Sequence, residues 1–531
     1  MRLALLLLLQ GAFLAAAAAA NLERLNPDAV AYLRLARYYA EGNWHLAITA
    51  YWGPLLSWAA APLILAGLEP WVAGRVVMAA SALVFTLGCH TLFGRLRLDR
   101  RAAAVGTVLA SSASVAWSVG AITPDLLFAG LLALAASALL PSGWAVQSRD
   151  RWRAGLWGAA ASLAKPAGLP MFFCLACAGV LIAYASGAAA ARRLVAAMTA
   201  TLAVLLLGIL PWMACLAWKY ERIMIASAGT INHAIVGPGA DYDALRPVPD
   251  AIRPQGAPAT SRERLHPLAR GFYPPEAGRI TAWEDPGALS YPRWSPLASG
   301  ANLRHQLLLL HGNYRYLIWQ LLEFDALHIG WVAALAGLLF HRPWRRRMRR
   351  EPWRLSGGFL LAACAVYLPV YAVNERYYYP VYPYLLAAAL GMAGGLRRTP
   401  PGRWGSALGV VVVLSFAISA VAPLPPTLAG LPSTQSKAAF ETARHLRSGA
   451  PPGPVAGEGL EGLFVAYLLD RSWLGCHGGV DSAARFKGIG ARLVVVPRDS
   501  PLAREMSLDP AFRRLDAGPG TTSLAAFELK P

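Results

Sequence analysis

The chain has 531 residues, of which 56% are hydrophobic and 15% charged, and a formal charge of +20. With a mean hydropathy of +0.42 it is too apolar for a water-soluble fold and too long for one small core, so it reads as a polytopic membrane protein. The positive charge sits in short gaps between apolar runs, "GRLRLDRR" (94–101), "RDRWR" (149–153), "ARR" (191–193), "HRPWRRRMRREPWR" (341–354) and "LRRTPPGR" (396–403). That is the positive-inside pattern of membrane topology, with Arg345–Arg350 as a topology anchor, and it excludes a nucleic-acid surface.

A bilayer-crossing helix needs about 20 apolar residues. With every Arg cluster placed on the cytoplasmic face, the sequence predicts eleven spans, at 3–20, 72–93, 102–119, 124–141, 154–166, 167–188, 194–217, 317–340, 356–373, 378–395 and 404–423. The first also fits a secretory signal. Both readings put Asn21 outside the cytoplasm, and a retained helix fits the parity of the later spans. Three substantial pieces then fall on the extracytoplasmic face: 21–71, 218–316 and 424–531. The middle piece is rich in Pro, Gly, Arg and aromatics, which predicts irregular chain with helical ends. The tail alternates strand-like runs ("GPVAGEG", "ARLVVVP", "SLAAFELKP") with helical ones ("STQSKAAFETARHLRSG", "EGLFVAYLLD"), which predicts a small α/β domain. The expected architecture is an all-α transmembrane domain over 1–423 followed by an extracytoplasmic α/β domain over 424–531.

Several chemistries are absent from the sequence. There is no G-x-x-x-x-G-K-[ST] loop for ATP hydrolysis, no H-E-x-x-H and no nucleophile elbow. Cys174 and Cys177 lie in an apolar span as packing residues, and Cys476 is the single cysteine of the extramembrane pieces, so no disulfide framework is encoded there. What remains is a set of ionisable groups at the predicted outer helix ends: Asp28 after "NP", Asp125 after "TP", Lys165 before Pro166, and Glu375–Arg376 in "VNERYYYPVYPYLL". Arg75, Glu323, Asp325 and His328 share that depth as secondary candidates. A structural reading is available for each. Asn26-Pro27-Asp28 and Thr123-Pro124-Asp125 carry the cap residue, first-position Pro and first-turn acid of a helix start. Lys165 and Arg376 fit snorkelling anchors, and Tyr377, Tyr378 and Tyr379 an aromatic belt. Against that stands the shared depth of all these groups, which marks a site. Spacing alone leaves both readings open.

The stretch "YWGPLLSWAAAPLILAGLEPWVAGRVV", preceded by Asp28 at the start of an amphipathic helix, resembles the first outer loop of superfamily C membrane glycosyltransferases. The likeness is to the group containing protein O-mannosyltransferases and the aminoarabinose transferase of lipid A. "ITPDLLFAGLLAL" is similar to that group's second outer aspartate, "GAAASLAKPAGLPMFF" to its Lys-Pro turn, and "ERYYYPVYPYLL" to its Arg-Tyr-x-x-Pro segment. Two departures stand out: Ala29 follows Asp28 where relatives often carry a second acid, and the middle loop aligns with no family element.

The resemblance implies an inverting transfer of a hexosyl or pentosyl group from a polyprenyl-phosphate donor. The acceptor would be an envelope lipid, glycan or protein, met on the extracytoplasmic face of a bacterial inner membrane. It implies Asp28 and Asp125 as catalytic, Lys165, Arg376 and Tyr377 as donor-phosphate ligands, and Arg75, Glu375, Glu323 and Asp325 as secondary candidates. A divalent cation, Mg or Mn, would be held by Asp28 and Asp125. The chemistry is coherent: a carboxylate orients or deprotonates the acceptor hydroxyl, and cations stabilise charge on the departing phosphate, Arg by a bidentate grip. The aromatic segment 271–296 either stacks on sugar rings or sits at the membrane interface. Two alternatives use similar parts. A flippase or transporter of lipid-linked sugars should show inverted repeats and broken helices, and none is visible in the sequence. A polysaccharide polymerase or ligase would use a lipid diphosphate donor.

Overall fold

The computed structural model describes residues 3–238, 275–330, 332, 346, 351–370, 374–396, 402–475, 482–515 and 523–530, less positions 141, 186, 188, 289, 290, 292, 433, 458 and 488. The anchor at 345–350 apart from Arg346, Cys476, and the greater part of the middle loop (239–274) lie outside the described residues.

Helices dominate as far as residue 429. They are α1 (Leu3–Ala20), α2 (Pro27–Ala40), α3 (Trp44–Ala47), α4 (Leu55–Leu65), α5 (Pro70–Arg95), α6 (Arg100–Gly120), α7 (Asp125–Leu139), α8 (Ser142–Val146), α9 (Ser148–Ala164), α10 (Gly168–Ala185), α11 (Ala191–Tyr220), α12 (Ala228–Ile235), α13 (Gly300–Glu323), α14 (Glu351–Ala365), α15 (Tyr382–Leu396), α16 (Gly402–Val421) and α17 (Leu424–Ala429). Among the described residues six segments are long and apolar enough to cross a membrane: Leu3–Ala20, Pro70–Arg95, Arg100–Gly120, Gly168–Ala185, Ala191–Tyr220 and Ala407–Ala429. Asp125–Leu139 is a shorter apolar helix.

Lipid offers apolar surface no incentive to cluster, so close backbone approach and polar links hold such a bundle. Gly88 of α5 faces Gly130 of α7 so tightly that a Cβ on Gly88 would stand 2.6 Å from the Gly130 carbonyl oxygen. Gln10 of α1 donates through Nε2 to Thr86 Oγ1 on α5 (2.9 Å) and Ser114 Oγ on α6 (3.0 Å), stitching three helices in the apolar interior. At 30 residues α11 runs about 45 Å, well beyond a hydrocarbon core of about 30 Å. Lys219 and Tyr220 stand at its C-terminal end, which Glu221 closes in a left-handed conformation (φ 53°).

One expected span is corrected. Over 317–340 the sequence predicts a single helix, but α13 starts at Gly300 and stops at Glu323. The chain turns at 324–328, with His328 at φ 55°. Asp325 is buried and takes a hydrogen bond from Ser415 Oγ of α16, which in turn receives the Leu327 amide at 3.0 Å. An apolar window cannot register a buried acid whose partner lies ninety residues away on another helix.

Beyond α17 lie α18 (Thr434–Leu446), α19 (Gly459–Leu468) and a four-stranded sheet of order β1-β2-β4-β3. Strand β1 (Val455–Gly457) runs parallel to β2 (Leu493–Pro497), and β4 (Leu524–Leu529) is antiparallel to both β2 and β3 (Phe512–Leu515). Three strands coincide with the strand-like runs of the sequence, and β3 is additional. Side chains alternate across the sheet with period two. Leu493, Val495 and Ala526 join α18 and α19 in the main core, while Val494, Val496 and Phe527 form a second core with Phe486 and Met506.

Candidate active site

Four segments far apart in the chain meet at one end of the bundle. Asp28 opens α2, Asp125 opens α7, Lys165 ends α9, and Arg376 lies in a short 3-10 turn, Glu375–Tyr378. Local sequence sets each position. Pro27 and Pro124 begin their helices with dihedrals that proline already satisfies. The Lys165-Pro166 turn depends on Gly168, whose missing side chain lets α10 start against the Ala161 carbonyl of α9. Gly53 likewise brings the Tyr51–Pro54 loop onto the Ala164 carbonyl.

Both aspartates lie in the first turns of their helices as the sequence predicts, and their side chains pair with cations there. Asn26 makes no side-chain bond to its own helix; its Oδ1 accepts from the Ile122 amide at 2.9 Å, tying the start of α2 to the end of α6. Asp28 Oδ2 pairs with Arg376 Nη2, and Asp28 Oδ1 lies 3.4 Å from the indole nitrogen of Trp283. Arg376 Nε is 3.5 Å from Asp125 Oδ2, and Asp125 Oδ1 pairs with Lys165 Nζ. Lys165 Nζ also stands 3.9 Å from the centroid of the Tyr377 ring, which stacks on Tyr367 at 5.3 Å. The four charges therefore form a neutral chain, Asp28–Arg376–Asp125–Lys165. Burial works against the Arg376 charge, yet Asp28 and Asp125 outweigh it and hold the guanidinium firmly protonated.

This chain runs from a cavity into the protein. A cavity of about 590 Å³ is lined by Asp28, Arg376, Tyr377 and Glu375, with Asn26, Asn374 and Arg24 adding polar groups. Asp125 and Lys165 are not part of that wall, and the Asp125 side chain is 4% exposed against 17% for Asp28. Tyr51, Trp52 and Trp283 form one aromatic wall, their centroids 4.7–5.5 Å apart. Trp117 stacked on Tyr379 at 4.2 Å forms another. A cavity of this size, with apolar walls and a few convergent polar groups, has the form of a ligand site.

The secondary candidates separate. Glu375 is on the wall; its carboxyl is raised by desolvation although it keeps access to the cavity. Arg75 is buried and bonds carbonyls at the end of α6, Val119 O at 3.2 Å, together with the carbonyl of Arg24. Glu323 and Asp325 belong to the α13 turn and do not line the cavity. The Arg376 guanidinium lies between Asp28 and Asp125 and contacts both. Among the described residues no group of three or more His, Cys, Asp or Glu side chains gathers as a metal site.

Trp283, Tyr51, Trp52 and Trp117 are among the site residues that sequence reasoning did not single out, with Arg24 and Asn374. The aromatic richness of 271–296 pointed to the segment holding Trp283, and nothing local distinguished Trp283 within it.

No family model and no curated protein sequence matches the chain. Solved structures do. ArnT from Cupriavidus metallidurans bound to undecaprenyl phosphate superposes with a TM-score of 0.55 over 99% of this chain and 97% of that one, at 15% identity. The apo state of the same protein gives 0.52 over 95% and 93%, at 15% identity. The Archaeoglobus fulgidus oligosaccharyltransferase in complex with Zn and sulfate gives 0.55 over 93% and 68%, at 13% identity. The chain thus shares the fold of these solved structures over nearly its whole length, the helical part and the C-terminal unit together.

Proposed function

We propose that the protein is a membrane glycosyltransferase that moves a sugar from a polyprenyl-phosphate donor to a hydroxyl-bearing envelope lipid, glycan or protein on the extracytoplasmic face. The observation that carries this reading is the charge chain Asp28–Arg376–Asp125–Lys165, whose first two members line an aromatic-walled cavity. Its support from outside the chain is the shared fold, including that of a protein bound to undecaprenyl phosphate.

The acceptor oxygen attacks the anomeric carbon, the bond from that carbon to the donor phosphate oxygen breaks, and the electron pair leaves with the phosphate. The acceptor's proton passes to Asp28. In the resting arrangement Arg376 holds Asp28 Oδ2, so the site is poised rather than open. An arriving donor phosphate draws part of the Arg376 guanidinium to itself. The same movement releases Asp28 as donor enters, so base and phosphate ligand become available together. Asp125 and Lys165, one layer behind, keep Arg376 oriented and its charge balanced during that exchange, and Tyr377 supports Lys165 from its ring face. The aromatic walls suit the apolar faces of sugar rings. No step requires a metal.

The deciding experiment uses purified protein in lipid nanodiscs, supplied with polyprenyl-monophosphate sugars, with release of polyprenyl phosphate as the readout. Mass spectrometry of envelope glycans and lipids from a deletion strain identifies the sugar and acceptor. Turnover of diphosphate-linked donors and not of monophosphate-linked ones would favour a polymerase or ligase instead.

A further inference from the structure

The five-residue stretch Asp470–Leu474, between α19 and the outer edge of β1, touches both elements that meet at the Asp28 carboxylate. On one side, Asp470 bridges two arginines of α2, with Oδ1 2.7 Å from Arg34 Nη1 and Oδ2 3.1 Å from Arg37 Nη1. That helix carries Asp28 at its start. On the other side, the Trp473 amide donates to the Ile280 carbonyl at 2.7 Å and Ser472 Oγ to the Arg279 carbonyl at 3.2 Å. Those carbonyls open the segment that carries Trp283.

That segment is held with unusual thoroughness for a stretch without regular structure. Thr281 and Glu284 form a capping box around the 3-10 turn Ala282–Glu284. Glu284 Oε1 accepts the Ile280 and Thr281 amides at 2.9 and 3.1 Å, and its Oε2 lies 2.8 Å from the Tyr38 hydroxyl of α2. Asp285 is gripped by Tyr220 at 2.9 Å and by Lys219 at 3.1 Å, both at the end of the long helix α11. Trp52 Nε1 donates to the Trp283 carbonyl at 2.9 Å. The product of all these contacts is the indole nitrogen of Trp283 set 3.4 Å from Asp28 Oδ1, the oxygen that Arg376 does not hold. Leu460, from α19, completes the cavity wall nearby.

We propose that Trp283 is a positioning residue for Asp28 and that the C-terminal unit is the clamp that keeps it in place. The indole N–H restricts which lone pair of Oδ1 stays open toward the cavity, and so fixes the direction from which an acceptor hydroxyl is received. The C-terminal unit acts on the reaction by registering α2 and the 279–285 segment against one another through 470–474. This rests on the glycosyltransferase reading above and assigns that unit a part in it.

The test combines two substitutions. Trp283→Phe keeps a ring in the aromatic wall and removes the N–H. Asp470→Asn removes the charge between Arg34 and Arg37 while retaining a residue type that tolerates the left-handed backbone at this position (φ 56°). Expected for Trp283→Phe is a kcat lower by roughly 10-fold, with donor KM within about twofold of wild type, as for an interaction realised in the transition state. Expected for Asp470→Asn is a fall of about threefold to tenfold in the wild-type background and no further fall in the Trp283→Phe background, the non-additivity of residues acting as one unit. Hydrogen exchange of the 276–288 peptide should quicken in Asp470→Asn and stay unchanged in Trp283→Phe. Additive losses, or unchanged exchange in Asp470→Asn, would overturn the clamp. Wild-type transfer with undiminished kcat in Trp283→Phe would overturn the positioning role alone, whereas no transfer by wild-type protein from any monophosphate donor overturns the glycosyltransferase reading itself.

Discussion

Replacing Asp28 by Asn separates chemistry from scaffolding at the residue on which the mechanism turns. Asn is isosteric and polar, and Asp28 makes no capping bond that it would lose, since its partners are Arg376 and Trp283. The structural cost is one charge-assisted bond, about 1.5–3 kcal/mol. Arg376 retains Asp125 at 3.5 Å, so it is not left as an unpaired buried cation, and the loss should fall at the low end of that range. The protein should therefore fold, insert and melt within a few degrees of wild type. Turnover should respond differently. An amide cannot take the acceptor's proton, and loss of a general base costs on the order of 10²-fold to 10⁴-fold, or about 3–5 kcal/mol on the barrier. The assay is release of polyprenyl phosphate from donor by purified variant in nanodiscs, beside a thermal melt of the same sample. Asp28→Asn protein that works at the wild-type rate would refute the catalytic role and leave the cavity without its base.

Arg376→Lys keeps the charge and loses the planar fork that spans Asp28 and Asp125. Its kcat/KM for donor should drop by about 10²-fold, and wild-type kinetics would reduce Arg376 to a structural ion pair. Because Arg376 fills the position between the two aspartates, prolonged treatment with a chelator should leave turnover within about twofold; a loss of more than about tenfold restored by Mg or Mn would show that the acids open to hold metal. In a background freed of native cysteines, a cysteine replacing exposed Arg504 of the C-terminal unit should react with an impermeant thiol reagent in intact cells, and one replacing exposed Arg97 between α5 and α6 should not. Labelling of the second alone would invert the orientation assigned to the site.

Much of the molecule was legible without coordinates, because much of it is decided locally. Apolar runs of bilayer length between Arg clusters define helices whatever their neighbours, and proline followed by an acid opens α2 and α7. The alternation in "ARLVVVP" and "SLAAFELKP" specifies strands whose two faces both find a core. The short segment at β3, "FRRL", has two exposed arginines, so it carries no such signal and pairs only because β4 offers it an edge. The partners of the charged residues were of another kind. Whether Asn26 caps its own helix or holds Ile122, and whether Asp325 ends a span by bonding Ser415, depend on a group that the fold brings near from far along the chain. The same holds for Arg376, which reaches Asp28 across 348 positions, and for Trp283 across 255. Propensity and periodicity act between residues a few positions apart and are written in the sequence; an ion pair or an indole hydrogen bond is decided by distance in space, which only the packed bundle and the unit clamped on it determine.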